Sequence, residues 1–334
     1  MKKSTKQLLI TGAAFCGAGL VMFGAGMTSG GREYVKNADL NVINGAATLT
    51  SSDSHAVLEK TEIDSFSTVN ADLRYIDLKV KPSPDDKFYI SYNVETSNGV
   101  LPVSYQISDG TLNLVESKGN SSYSYIHIDI NFLQMMLGQR SIIENQNNVV
   151  LYIPKNQKLE SFSCNMGDGY LNIDSLRSQK LLVSADYGDI NLKDLDISEG
   201  SVSSSDGDLE ATDSLLRNTS LNTDYGDMDI QNTSIHDGEI TLSDGDLTGK
   251  QITFSGETSV TDNLGDISLS IPQENLDQLS VNAKTSLGDL TLPDSMKGSL
   301  TGNDDATTYT DTVKFGNQLN IKNSDGDIQI SVKK

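Results

Sequence analysis

The chain has 334 residues, a formal net charge of −21, 36% hydrophobic residues, two cysteines and no tryptophan. That length accommodates one domain plus an anchor; the negative field disfavours nucleic acid and anionic lipid as direct partners and favours cations or basic surfaces. The charge is unevenly placed: residues 160–334 hold 31 acidic and 11 basic side chains, net −20, whereas residues 1–159 carry a net of −1.

Residues 1–7 carry Lys2, Lys3 and Lys6 ahead of twenty uncharged residues, 8–27. Such a run crosses a bilayer as a helix, and lysines on its N-terminal side stay in the cytoplasm. The expectation is therefore a cytoplasmic tail over 1–7, a transmembrane anchor over 8–28, and a cell-membrane, single-pass protein with its C-terminal region extracellular. A cleaved signal peptide competes with this reading, but its apolar core is usually about 7–15 residues. Bulky Phe15 before Cys16 argues against a lipoprotein signal. Gly12, Gly17, Gly19, Gly24 and Gly26 would let two anchor helices approach closely, one route to self-association; the solenoid ends described below are another.

Residues 29–61 are rich in Asn, Ser, Thr and Ala without strong periodicity and read as a linker. From residue 62 the text is strand-like: Ile76, Leu78 and Val80 alternate, followed by apolar runs at 89–94, 103–107, 111–115, 123–130 and 149–153. Phe132, Leu133, Met135, Met136 and Leu137 crowd into a short helix-like stretch suited to a lid. Residues 62–155 are expected to form a β-rich capping region over the first repeat.

From residue 156 the chain repeats. Gly169, Gly188, Gly207, Gly226 and Gly245 are 19 residues apart. Five residues before each stands Cys164, Val183, Val202, Leu221 or Ile240, and two after stands Leu171, Ile190, Leu209, Met228 or Leu247. A third apolar set, Leu176, Leu195, Ile197, Leu216, Ile235, Ile252 and Phe254, completes about three short strands per unit. A lone 19-residue unit buries too little to offset the entropy of ordering it, so the units must stack, each strand pairing in parallel with its copy about 4.8 Å away. The expected fold is all-β: a parallel β-solenoid (β-helix) of 19-residue coils over 156–334. Ser201, Ser203, Ser205, Ser220, Asn222, Thr223, Thr241 and Ser243 suit its solvated outer face. The spacing then loosens to Gly265, Gly288 and Gly326, with a degraded marker near Gly302 and the closing Lys333 and Lys334 guarding an unpaired edge.

The recurrent Asp-Gly-Asp turns admit two accounts. In one, Gly takes a positive φ and the following Asp accepts backbone hydrogen bonds. In the other, Asp206, Asp208, Asp227, Asp244 and Asp246 form a calcium ladder, which would relieve repulsion between stacked carboxylates. The turn account is favoured, because the period differs from that of nonapeptide calcium rolls and because Tyr187 and Tyr225 replace the first Asp in alternate coils. No cofactor is expected, and no catalytic residue is assigned: carboxylates that recur in every coil look like a turn requirement, and His55, His127 and His236 are scattered without metal-ligand spacing or a nucleophile partner. Cys16 and Cys164 fall in the anchor and in a core column, so they form no structural disulfide.

The strand-rich lead-in, the VVLYIP strand at 149–154, and the elements YGDI, DGDL, YGDM and LGDI resemble the putative-adhesin, β-strand-repeat envelope proteins of bacteria, a domain family of unknown function, over residues 62–334. The resemblance implies a right-handed β-solenoid displayed at the cell surface, near envelope-stress or membrane-associated regulators, and offers no catalytic residues to carry over. The expected function is a non-catalytic, membrane-anchored, adhesin-like scaffold or binding protein for an extracellular protein or envelope ligand. The runner-up is a β-helix polysaccharide lyase or hydrolase.

Overall fold

The computed structural model describes residues 38–43, 46–51, 55–96, 101–117, 147–303, 306–311 and 316–333. The tail at 1–7, the anchor segment at 8–28, the strand-like run at 123–130, the apolar stretch at 132–137, Cys16 and His127 lie outside them. Among the described residues no helix is long and apolar enough to cross a membrane.

The chain divides into two compact units. Apart from His55 and Thr96, the described part of the smaller is an antiparallel strand pair, Ala38–Ile43 with Ala46–Ser51. This pair and most of strand His55–Ile63, which runs on past residue 61, fall within the stretch read as linker.

The larger unit is built of stacked coils, and one coil shows the plan. Strand Leu176–Ala185 runs to a corner at Gly188, strand Ile190–Lys193 runs to a second corner at Asp194, and a third strand begins at Leu195. Each strand pairs in parallel with the strand 19 residues on. Val183, Val202, Leu221 and Ile240 stand in one register column, and Ile190, Leu209, Met228 and Leu247 in another. Ile197, Leu216, Ile235 and Phe254 make the third. All twelve are buried, because alternation along each strand turns every second side chain inward. Thr223, expected on the outer face, instead points inward and is 1% exposed. It stands three residues before its corner glycine, the same inward parity as Ser204 and Asp262.

The corners explain why these sequences turn where they do. The second is held by Asp194, Asp213, Asn232 and Gln251 and the third by Asn218, Asp237 and Gly256, with φ between 45° and 67°. Asn and Asp tolerate this left-handed region better than most residues, since their short side chains can bond locally.

Both ends depart from simple stacking. Near the start, strand Thr68–Leu73 lies between Lys158–Met166 and Thr111–Glu116, and Asp77–Pro82 lies between Leu171–Ile173 and Asn148–Ile153. The chain leaves its first coil outward, adds antiparallel strands Val103–Ser108 and Phe88–Glu95 to the outer layer, then returns to begin the next coil on the inner side.

The C-terminal end mirrors this and corrects the edge expected there. Strand Ile328–Lys333 pairs with Ile267–Pro272 on one side and Leu290–Thr291 on the other, and Asn317–Asp325 lies likewise between Glu257–Leu264 and Leu279–Leu287. Ile328 and Gln329 are thus paired on both sides, while the strand's far end, through Lys333, is paired on the Pro272 side alone. Gly302 belongs to an antiparallel pair, Ser299–Asn303 with Ala306–Thr310, and marks no degraded coil. The physical gain is plain: in the interior slot strand Asn317–Asp325 satisfies both backbone ladders, Ile328 and Gln329 are paired on both sides, and Leu319, Ile321, Ile328 and Ile330 are buried.

Candidate functional site

The first corner carries the features that distinguish this stack. Its glycines sit backbone on backbone. A Cβ on Gly245 would lie 2.2 Å from the Gly226 carbonyl oxygen, and one on Gly326 would lie 1.9 Å from that of Gly265. Their φ values, 149° and 145°, add a conformation that side chains resist. Glycine is therefore required twice over, by space and by dihedral.

The residue after each glycine is an aspartate with a defined task. The amide of Asp208 donates to Asp189 Oδ1 at 3.0 Å, that of Asp227 to Asp208 Oδ1 at 2.9 Å, and that of Asp246 to Asp227 Oδ1 at 2.9 Å. The series continues at 2.8 Å through Asp266, Asp327 and Asp289, in that spatial order. Flanking amides such as those of Gly207 and Leu209 already donate to backbone carbonyls, so the carboxylate serves the one amide that the backbone ladder passes over. Asp208, Asp227 and Asp246, named above as calcium candidates, are members of this ladder. Asp206 and Asp244 are not; they precede the glycine, and their carboxylates make no hydrogen bond or ion pair with described residues. Among the described residues no group of three or more His, Cys, Asp or Glu is arranged to hold a metal ion.

The row before the glycine shows a pattern that chain order conceals. In register it reads Tyr187, Asp206, Tyr225, Asp244, then Leu264, Asp325, Leu287. Apolar and acidic side chains alternate strictly, and alternation survives the C-terminal end only because Asp325 inserts between Leu264 and Leu287. Tyr187 and Tyr225 are 65% and 64% exposed, and Leu264 and Leu287 are 49% and 58% exposed, high values for such side chains. A shallow depression of about 460 Å³ opens on this row, lined by Asp244, Asp246, Leu264 and Asp325.

Beneath Leu264 lies a buried carboxylate. Asp262 is fully buried, and neither oxygen has a hydrogen-bond partner; Asn323, next to it in the stack, also has an unpartnered Oδ1. Burial pushes the Asp262 carboxyl up to about 6, and Asp246 and Asp244 add to the effect, while the amides of Asn263 and Leu264 pull the other way. Burial likewise raises the Cys164 thiol far above its ordinary range, so it is no nucleophile.

The structure also brings together groups that the sequence leaves apart. Ser255 Oγ lies 2.9 Å from His236 Nδ1, and His236 Nε2 lies 3.0 Å from Asp237 Oδ2. This supplies the hydroxyl partner that His236 was expected to lack. A hydrolytic triad needs backbone donors for an oxyanion beside the serine. Here the next two amides are occupied: Gly256 donates to Asn317 Oδ1 and Glu257 to Asp237 Oδ1. The cluster braces the third corner. Its signal in the sequence is the 19-residue step from His236 to Ser255.

Comparison with known proteins gives one family and several similar solved structures. The family described as Toastrack DUF4097 matches residues 66–331. Solved structures similar to this chain include a putative adhesin from Bacteroides fragilis, at 14% identity, covering 84% of this chain and 98% of that one with a TM-score of 0.46. A putative lipid binding protein from Parabacteroides distasonis has 14% identity, 84% and 98% coverage and a TM-score of 0.42. A putative cell adhesion protein from Clostridium sporogenes has 12% identity, 84% and 99% coverage and a TM-score of 0.26. No curated protein sequence matches the chain.

Proposed function

Since this chain belongs to the Toastrack DUF4097 family, we propose that it works as a non-catalytic binding scaffold, anchored in the cell membrane by residues 8–28 and displayed outside the cell. The observation that carries this reading is the first corner. Its acidic and apolar groups recur coil after coil along one exposed row, as a surface that grips an extended partner requires, whereas an active site gathers different groups once. The occupied amides beside Ser255 support the same reading. Anchoring rests on the apolar run and on Lys2, Lys3 and Lys6. A place beside envelope-stress regulators belongs to the same proposal.

Protease treatment of intact cells, with mass spectrometry of released and retained fragments, tests it. The repeat region is poor in basic residues, so a protease that cuts after acidic residues is the suitable probe. Release of fragments containing residues 158–333 from intact cells, with the N-terminal peptide retained in the membrane, is expected. Repeats that are protected in intact cells and cleaved only in lysates would contradict the proposal.

A further inference from the structure

We infer that the row before the corner glycines is a docking strip for an extended, basic polypeptide in polyproline II conformation with a Lys or Arg at every third residue. The inference rests on the reading of the chain as a binding scaffold and names the partner's chemistry.

Spacing supplies the first argument. Neighbouring parallel strands lie about 4.8 Å apart, so like groups in an alternating row recur every second coil, about 9.6 Å. Three residues of polyproline II advance about 9.3 Å and return to the same face. A β-strand returns to the same face every two residues, about 6.6–6.8 Å, and falls out of step at once.

Chemistry supplies the second. Asp206, Asp244 and Asp325 stand at every second position of the row, exposed, and their carboxylates make no hydrogen bond or ion pair with described residues. Between them stand Tyr187, Tyr225, Leu264 and Leu287. Beside the row runs the aspartate ladder from Asp189 to Asp289, and no Lys or Arg occurs within three residues of any corner glycine from Gly188 to Gly326. Cations of the partner meet the carboxylates, while proline rings and the methylene stems of lysine pack on the apolar positions. A mixed Tyr and Leu row suits such packing. It suits a sugar polymer less, since leucine presents no flat ring for a pyranose to stack on.

The strip also explains why Asp325 must lie between Leu264 and Leu287. In chain order the two leucines would be adjacent and the register of charge would break.

The test uses the full chain in detergent and three probes: a peptide of six Lys-Pro-Pro repeats, a peptide of equal composition with its lysines in one block, and a β-1,4-linked oligosaccharide. Titration calorimetry at about 150 mM salt is expected to show the repeat peptide binding at least tenfold more tightly than the block peptide. The Tyr187→Ser/Tyr225→Ser variant, changed only at exposed positions, is expected to keep its melting temperature and lose most of that preference. Equal affinity for the two peptides, binding of the oligosaccharide in place of the repeat peptide, or no loss in the double variant overturns the inference. Display on intact cells is measured separately, so these outcomes leave the scaffold reading to its own test.

Discussion

Asp262→Asn should stabilise the protein, and only above a defined pH. The side chain is fully buried, its oxygens are unpartnered, and its carboxyl is pushed from 3.8 up to about 6. Because the folded value lies above the unfolded one, folding disfavours the ionised form. The penalty is absent below pH ~4, grows as pH rises, and is complete once pH passes the folded value near 6. Its ceiling is about 3 kcal/mol at roughly 1.4 kcal/mol per pH unit, and relaxation around the carboxylate trims it to about 1–3 kcal/mol. Asn removes the charge, keeps the shape and offers an N–H to Asn323 Oδ1. Urea unfolding at pH 8 should therefore show the variant more stable by about 1–3 kcal/mol, and at pH 4.5 by less than about 1 kcal/mol. An Asn variant equal to or weaker than the parent at pH 8 would refute the reasoning.

Two further outcomes follow from the packing and the ladder. Val202 is fully buried between coils, so Val202→Asp should cost about 3–5 kcal/mol, whereas Ser203→Asp, one residue on and facing out, should cost within about 1 kcal/mol; equal shifts in melting temperature for the pair would show the strand register to be wrong. Removing calcium at matched ionic strength should move the melting temperature by less than about 2 °C, because one oxygen of each of Asp208, Asp227 and Asp246 is already held by an amide. Asp208, Asp227 and Asp246 changed together to Asn should retain those bonds through the Asn Oδ1, and a calcium-specific rise that disappears in this triple variant would argue for a cation ladder instead.

The repeated part of the fold was legible because each coil states its own pattern. Val183 predicts Val202, and Leu209 predicts Met228, since parallel pairing requires like beside like 19 residues on. The second and third corners were legible in principle: Asp194, Asp213 and Asn232 keep the same spacing but lack the glycine that draws attention to the first. What the text could not yield is spatial order at the ends. Nothing local in the last coil says that it returns to an interior slot, because its apolar alternation would serve an edge equally well; only the burial available on both sides of Ile321 and Ile328 decides it. The alternating row depended on that order, so Leu264, Asp325 and Leu287 disclosed it only in three dimensions. Asp262 escaped notice for a similar reason, since its parity is inward but its chemistry belongs outside.

The arrangement of the first corner, and with it the proposed binding strip, depends on the last coil lying between the two that precede it in sequence. Ser268 and Thr291 each stand in register with Gln329, one on either side, so neighbouring pairs lie about 4.8 Å apart and Ser268 lies about 9.6 Å from Thr291. Cysteine pairs at these positions, in a Cys16→Ser background with buried Cys164 left unreactive, can be treated with a thiol cross-linker too short to span two coils. The account predicts efficient bridging for Ser268→Cys with Gln329→Cys and none for Ser268→Cys with Thr291→Cys; the reverse result would place the coils in chain order and contradict it.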